Sequence, residues 1–138
     1  RYYEEADRRA AHKGAQNNLG YMYENGFYVA KDLQKAFFWY EKAARQGQIN
    51  ALRNVARFYE YGMGVAQDYA KAAAYYNKAL AGGTAYASEH LAELYAKGLG
   101  VAQDEDRVVE LFHHAAMKGS ITADARISEI YQKRRIYL

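Results

Sequence analysis

Four tyrosines, Tyr23, Tyr59, Tyr95 and Tyr131, recur at an interval of 36 residues. Their surroundings recur in step. Val65-Ala66-Gln67-Asp68 returns as Val101-Ala102-Gln103-Asp104, and a degenerate copy, Val29-Ala30-Lys31-Asp32, lies one period earlier. A fixed period of about 20–50 residues marks a stack of supersecondary units, each too small to bury its apolar face alone. Such stacks build an extended surface far more readily than a catalytic pocket.

Each period divides into two helical patterns. The first places a small residue, an aliphatic residue and a tyrosine four apart, which puts them on one face. It reads Ala15, Leu19, Tyr23, then Ala51, Val55, Tyr59, then Ala87, Leu91, Tyr95. Gly20, Ala56 and Ala92 follow the aliphatic position and leave room for a neighbouring helix; Gly26, Gly62 and Gly98 end the pattern as left-handed C′ residues do. The second pattern opens on Asp32, Asp68 or Asp104, each suited to accept a free backbone N–H at a helix start. Its apolar positions are Ala36, Trp39, Tyr40, Ala43, then Ala72, Tyr75, Tyr76, Ala79, then Val108, Leu111, Phe112, Ala115, closed by Gly47, Gly83 and Gly119.

The expected chain is one all-α domain, a solenoid of antiparallel helix pairs with about three and a half repeats. Tyr2-Tyr3-Glu4-Glu5-Ala6 matches Trp39-Tyr40-Glu41-Lys42-Ala43, so residues 1–14 read as the second helix of a partial repeat. Full repeats follow at 15–50, 51–86 and 87–122. Residues 123–138 carry Ala123, Ile127 and Tyr131 onward as a terminal helix, which runs on because Arg134 stands where glycine is expected. The apolar Ile127, Ile130, Tyr131, Ile136, Tyr137 and Leu138 on that helix are expected to be covered, by folding back on the third repeat or by another copy.

Composition narrows the chemistry. Hydrophobic residues make up 51% of the 138, enough for a real core, and proline is absent, which suits helices. Without cysteine there is no disulfide and no thiolate metal site, and a cysteine-free chain is at home in the cytosol or the periplasm. No apolar run approaches the ~20 residues of a membrane helix. The first residues do not read as a signal peptide; the chain opens without Met and in mid-repeat, which leaves room for a leader or further repeats ahead of it. A net charge of +3 is too mild to suggest nucleic acid, although Lys133-Arg134-Arg135 forms one dense basic run.

The motifs that carry the pattern are Leu19-Gly20-Tyr21-Met22-Tyr23, the Gly62-Met63-Gly64-Val65 loop, and Lys35-Ala36-Phe37-Phe38-Trp39-Tyr40-Glu41-Lys42-Ala43-Ala44 with Gly47, and their framework positions return at fixed spacing in three copies. In these residues the chain resembles Sel1-like repeat proteins, relatives of the tetratricopeptide repeat, over essentially its whole length. The resemblance implies a right-handed α-solenoid, bacterial relatives, and protein–protein contact in signalling, secretion-linked or host-interaction settings. It departs from the family at Ala30, Ala66 and Ala102, where proline is common, at Phe27-Tyr28, where a glycine is expected second, and in lacking the disulfide that well-studied bacterial members carry in each repeat.

Catalytic and cofactor chemistry find no foothold. Ser88, Ser120 and Ser128 are followed three residues on by Leu91, Ala123 and Tyr131, so Ser-x-x-Lys is absent. His113 and His114 are adjacent and diverge on a helix; His12 and His90 lack ligand-spaced partners, so no metal is expected. The tyrosine ladder reads as core. The functional candidate is the arc opposite it. Counting the repeat alanine as zero, position 2 holds Asn17, Arg53, Glu89 and Ala125, and position 3 holds Asn18, Asn54, His90 and Arg126. Position 6 holds Tyr21, Arg57, Glu93 and Glu129, and position 10 holds Asn25, Tyr61, Lys97 and Lys133. These positions vary while the framework repeats. By the resemblance, first helices line the concave side, so the arc is expected to be exposed and to hold another protein or an extended peptide of mixed charge. The alternatives are self-association through terminal helices and, more remotely, RNA binding. Arg53 and Arg57 bridging Glu89 and Glu93 directly would be the competing, purely structural arrangement.

Overall fold

The computed structural model describes residues 13–136, so the partial repeat expected at the start and the apolar Tyr137 and Leu138 lie outside the described residues. Within them the chain is all helix and turn. First and second helices alternate: α1 (Lys13–Asn25), α2 (Leu33–Arg45), α3 (Ile49–Tyr61), α4 (Tyr69–Ala79) with a 3₁₀ turn at Leu80–Gly82, α5 (Ala85–Lys97), α6 (Glu105–Met117) and α7 (Ile121–Ile136). Each packs on its neighbours in the chain, as a solenoid requires.

Local chemistry sets the boundaries. Asp32, Asp68 and Asp104 are extended N-caps whose Oδ1 accepts from the backbone N–H of Lys35, Lys71 and Arg107 at 3.1, 3.0 and 3.1 Å. Such a cap contributes about 1 kcal/mol. At the far ends of α3 and α5, Gly62 and Gly98 take the left-handed conformation, each with φ 67°.

The deepest layer is an aromatic wedge on the second helices. Tyr40, Tyr76 and Phe112 are 0% exposed. Opposite the first wedge, a Cβ on Gly20 would lie 2.5 Å from the Tyr40 ring, so α1 and α2 close to a distance that only glycine permits there. The tyrosine ladder of the first helices sits farther out than expected. Tyr59 is buried, Tyr23 and Tyr95 are half-buried against the core, and Tyr131 is 42% exposed. A cation from the following helix caps three of these rings: Lys35 over Tyr23 at 5.5 Å, Lys71 over Tyr59 at 5.4 Å and Arg107 over Tyr95 at 5.9 Å. Tyr131 has no such helix over it among the described residues and instead faces His113, at 3.2 Å. On the same helix Ile127 is buried and Ile130 packs against the core, so α7 does fold back on the third repeat.

The first loop differs from the others at one residue. Gly64 and Gly100 are left-handed, and a Cβ on either would overlap backbone of the preceding second helix, at Leu33 and Tyr69 respectively. Tyr28 holds the matching place in the first loop with φ 65°, and its side chain is 88% exposed.

Two stability outcomes follow from this packing. Tyr59→Ala removes a buried ring and should cost about 3–5 kcal/mol, while Tyr131→Ala should cost under about 1 kcal/mol. Denaturant midpoints of the two variants test this, and equal losses would reverse the assigned faces. Gly100→Ala should lower Tm by several degrees, because its methyl has no space and its φ is unfavourable. Tyr28→Gly should leave Tm nearly unchanged, relief of left-handed strain offsetting the extra freedom of the unfolded chain.

Candidate functional site

The varied positions fall on one stripe of each first helix. On α3 the stripe is Arg53, Arg57 and Tyr61; on α5 it is Glu89, Glu93 and Lys97; on α1 it is Asn17, Tyr21 and Asn25. Tyr21 and Tyr61 are the most open aromatic members, at 54% and 55%. Asn18, Asn25, Lys97 and Glu129 are exposed, whereas Asn17, Arg53, Arg57, Glu89, His90, Glu93 and Arg126 are half-buried. Asn54 departs from the expected exposed arc and is buried. Position 3 faces the first helix of the preceding repeat, so Asn54 Nδ2 donates to Asn17 Oδ1 at 3.1 Å and its Oδ1 accepts from Arg57 Nη2 at 3.2 Å.

A basic side chain meets a glutamate across each seam between first helices. Arg57 donates from Nη1 and Nη2 to Glu24 Oε2 and Oε1 at 2.6 and 2.8 Å, joining α3 to α1. His90 Nδ1 lies 3.1 Å from Glu60 Oε1, joining α5 to α3. Arg126 donates from Nε and Nη2 to Glu93 at 3.1 and 3.2 Å, joining α7 to α5, and from Nη1 to Glu129 at 2.8 Å. The direct Arg53/Arg57 to Glu89/Glu93 bridges do not form; Arg53 instead rests over the Tyr86 ring at 5.2 Å. Tyr86 in turn stacks on His90, with ring centroids 4.1 Å apart.

Sequence reasoning passed over the carboxylates that organise these seams. Glu24 and Glu60 stand 36 residues apart, as do the wedge tyrosines that bond them: Tyr40 O–H donates to Glu24 and Tyr76 O–H to Glu60, each at 2.7 Å. In the third repeat both members change together, to Ala96 and Phe112. That paired change was visible in the aligned repeats and is the signal that identifies the two groups as partners.

The seam at Glu24 has a definite electrostatic sign. Burial pulls its carboxyl upward, but the bonds from Arg57 and Tyr40 outweigh this and hold it below the ordinary value. The bond to Glu24 raises Arg57, and burial followed by the same carboxylate pushes the Tyr40 phenol up.

The histidines are engaged elsewhere. His114 Nδ1 lies 2.6 Å from Ser88 Oγ, and Ser88 is 0% exposed. Among the described residues no three His, Asp or Glu side chains converge as a metal site, and no helix is long and apolar enough to cross a membrane.

A pH outcome follows for the first seam. A carboxylate with a lowered folded pKa adds stability that is fully present above its unfolded value, 4.5, and is lost as pH falls through the folded value. Wild type should therefore melt higher than Glu24→Gln at neutral pH, and the gap should narrow progressively as pH falls below 4.5. Thermal melts across that range check it; a gap that persists at the acid end would mean the ion pair is not its source.

Comparison with known proteins matches this geometry. A family model described as Sel1 repeat fits residues 13–48, 49–84 and 85–120. A crystal structure of a Sel1 repeat protein from Oxalobacter formigenes aligns at TM-score 0.81 and 32% identity, over 87% of this chain and 49% of that one. A protective antigen of uropathogenic Escherichia coli displaying an SLR fold aligns at TM-score 0.91 and 27% identity, over 96% of this chain and 28% of that one. Helicobacter pylori cysteine rich protein B aligns at TM-score 0.67 and 26% identity, over 89% and 95%. This chain thus spans about half of the first structure and little more than a quarter of the second. A search of the curated proteins gave no match.

Proposed function

The chain belongs to the Sel1 repeat family, and on that premise we propose that it is a non-enzymatic scaffold whose first-helix stripe forms a concave groove for a protein or extended peptide. Sel1 repeats commonly serve as protein-interaction modules. The observation that carries the reading is the contrast between framework and stripe. Ala51, Ala87 and Ala123 repeat one another at 0% exposure, while Arg53 gives way to Glu89 and Tyr61 to Lys97 on the open side.

The seam pairs sort the stripe into neutralised and available groups. Arg57, Glu93 and Arg126 are held by partners in neighbouring repeats. Arg53, Glu89 and Lys97 have no ion-pair partner among the described residues, and Tyr21 and Tyr61 stand open beside them. The groove therefore runs from neutral and aromatic at α1, through positive at α3, to a mixed pair at α5, Glu89 negative and Lys97 positive. Such a sequence favours a partner segment with acid against Arg53 and base against Glu89, lying in one direction. Complementarity of this kind sets orientation and on-rate more than affinity. The closest hydroxyl–imidazole pair among the described residues, Ser88 with His114, is sealed from any substrate by the burial of Ser88. A second reading, self-association, draws on the exposed Met117 and Ile121 at the α6–α7 turn, 86% and 84% open; sedimentation of the isolated chain tests it.

Arg53→Glu combined with Tyr61→Ala tests the groove. Arg57 is left in place because reversing it would set a carboxylate against Glu24. The variant should lose partner capture in a pull-down from the source cell, with helical circular dichroism and Tm nearly unchanged. Undiminished capture would remove the groove from consideration.

A further inference from the structure

In the first two repeats a glutamate, Glu24 or Glu60, fills the place beside the wedge tyrosine and receives a basic side chain from the next first helix. In the third repeat that place is Ala96, and the wedge residue is Phe112, which has no hydroxyl to offer. The side chain that would meet a carboxylate there is Arg126, one period after His90, and it turns away to Glu93 and Glu129. A cavity of about 510 Å³ lies there between α5, α6 and α7. It is lined by the apolar Ala96, Val108 and Ile130 and by the charged Glu105, Arg126, Lys133 and Arg134.

We propose that this cavity is a slot for a glutamate side chain of a partner protein, which supplies from outside the carboxylate that repeats one and two carry within the chain. The charge balance fits. Arg134 is paired with Glu105 at 2.7 Å, but Lys133 is exposed and without an ion-pair partner among the described residues. Arg126 holds its second carboxylate, Glu129, at a site that is 59% exposed and can yield. An incoming carboxylate takes the Lys133 ammonium and the Arg126 N–H now bonded to Glu129, while its methylenes lie against Ala96 and Ile130. Glutamate is the assignment because the group that fills the matching place in the earlier repeats is a glutamate, Glu24 and Glu60. The assignment of the ligand to a protein rests on the scaffold reading above; the slot itself rests on the missing carboxylate.

The test uses the full chain and two capped pentapeptides, acetyl-Gly-Leu-Glu-Leu-Gly-amide and its Gln counterpart, followed by NMR at the Ala96 methyl and the Arg126 Nε–H. The Glu peptide should shift both signals saturably, and the Gln peptide should bind about tenfold more weakly, the usual loss for a charge-assisted hydrogen bond. Ala96→Glu, which rebuilds the pattern of the earlier repeats, should fold and abolish the saturable shift at the Arg126 Nε–H, the reporter that remains in it. Lys133→Gln, at an exposed position, should fold and weaken binding several-fold. Equal affinity for the two peptides, or binding undiminished in Ala96→Glu, overturns the slot. Acetate reproducing the shifts at the same concentration overturns the glutamate assignment, since the site would then take any small anion. The scaffold reading fails separately, if Arg53→Glu with Tyr61→Ala keeps its partner, and neither result decides the other.

Discussion

The stack depends on the aromatic wedge that each second helix drives beneath its first helix. Tyr40, Tyr76 and Phe112 are wholly enclosed, and the helices can close on the first of them only because Gly20 presents no side chain to the ring. Small residues hold the matching places later, Ala56 and Ala92, both at 0% exposure. The wedge fixes the spacing within each pair. That spacing in turn decides which side chains of adjacent first helices meet at the seams. A wedge tyrosine also carries its hydroxyl to the seam, so a core residue selects the carboxylate that organises the surface.

This coupling explains why surface and core vary together. Where the wedge keeps its hydroxyl, a glutamate follows, and a basic group from the next repeat follows the glutamate. Where the wedge is phenylalanine, the chain of dependence stops, the seam is closed instead by Arg126 and Glu93, and space opens at Ala96. The charged stripe is therefore two populations with different duties. One holds the repeats in register, and the other, Arg53, Glu89 and Lys97, has no ion-pair partner among the described residues.

Much of the architecture was legible because its determinants are local and periodic. Glycine ends, aspartate caps and apolar spacing depend only on nearby residues, and the structure has Asp32, Asp68, Asp104, Gly62 and Gly98 in the roles their spacing implied. Depth was less legible. Helical periodicity gives a direction from the axis but not the distance to the next layer, so the tyrosine ladder read as core although lysine and arginine tips cover part of it. Asn54 was misread for a related reason: position 3 points away from its own core and toward a neighbouring repeat, which a single-helix projection does not contain. Glu24 and Glu60 escaped notice because an isolated glutamate on a helix looks like solvated surface until the tyrosine 16 residues on is seen to point at it.

Tyr28 gives the modules a grammar. The junctions that place Gly64 and Gly100 against a preceding second helix accept only a residue without a Cβ at that point of the loop. The units built around Gly64 and Gly100 are interchangeable in this respect, and either can be copied into the interior of an array. The unit built around Tyr28 is not. Moved downstream unchanged, it would set a tyrosine side chain where Gly64 and Gly100 meet backbone, so a copy of the first module fits that interior only once this loop position returns to glycine.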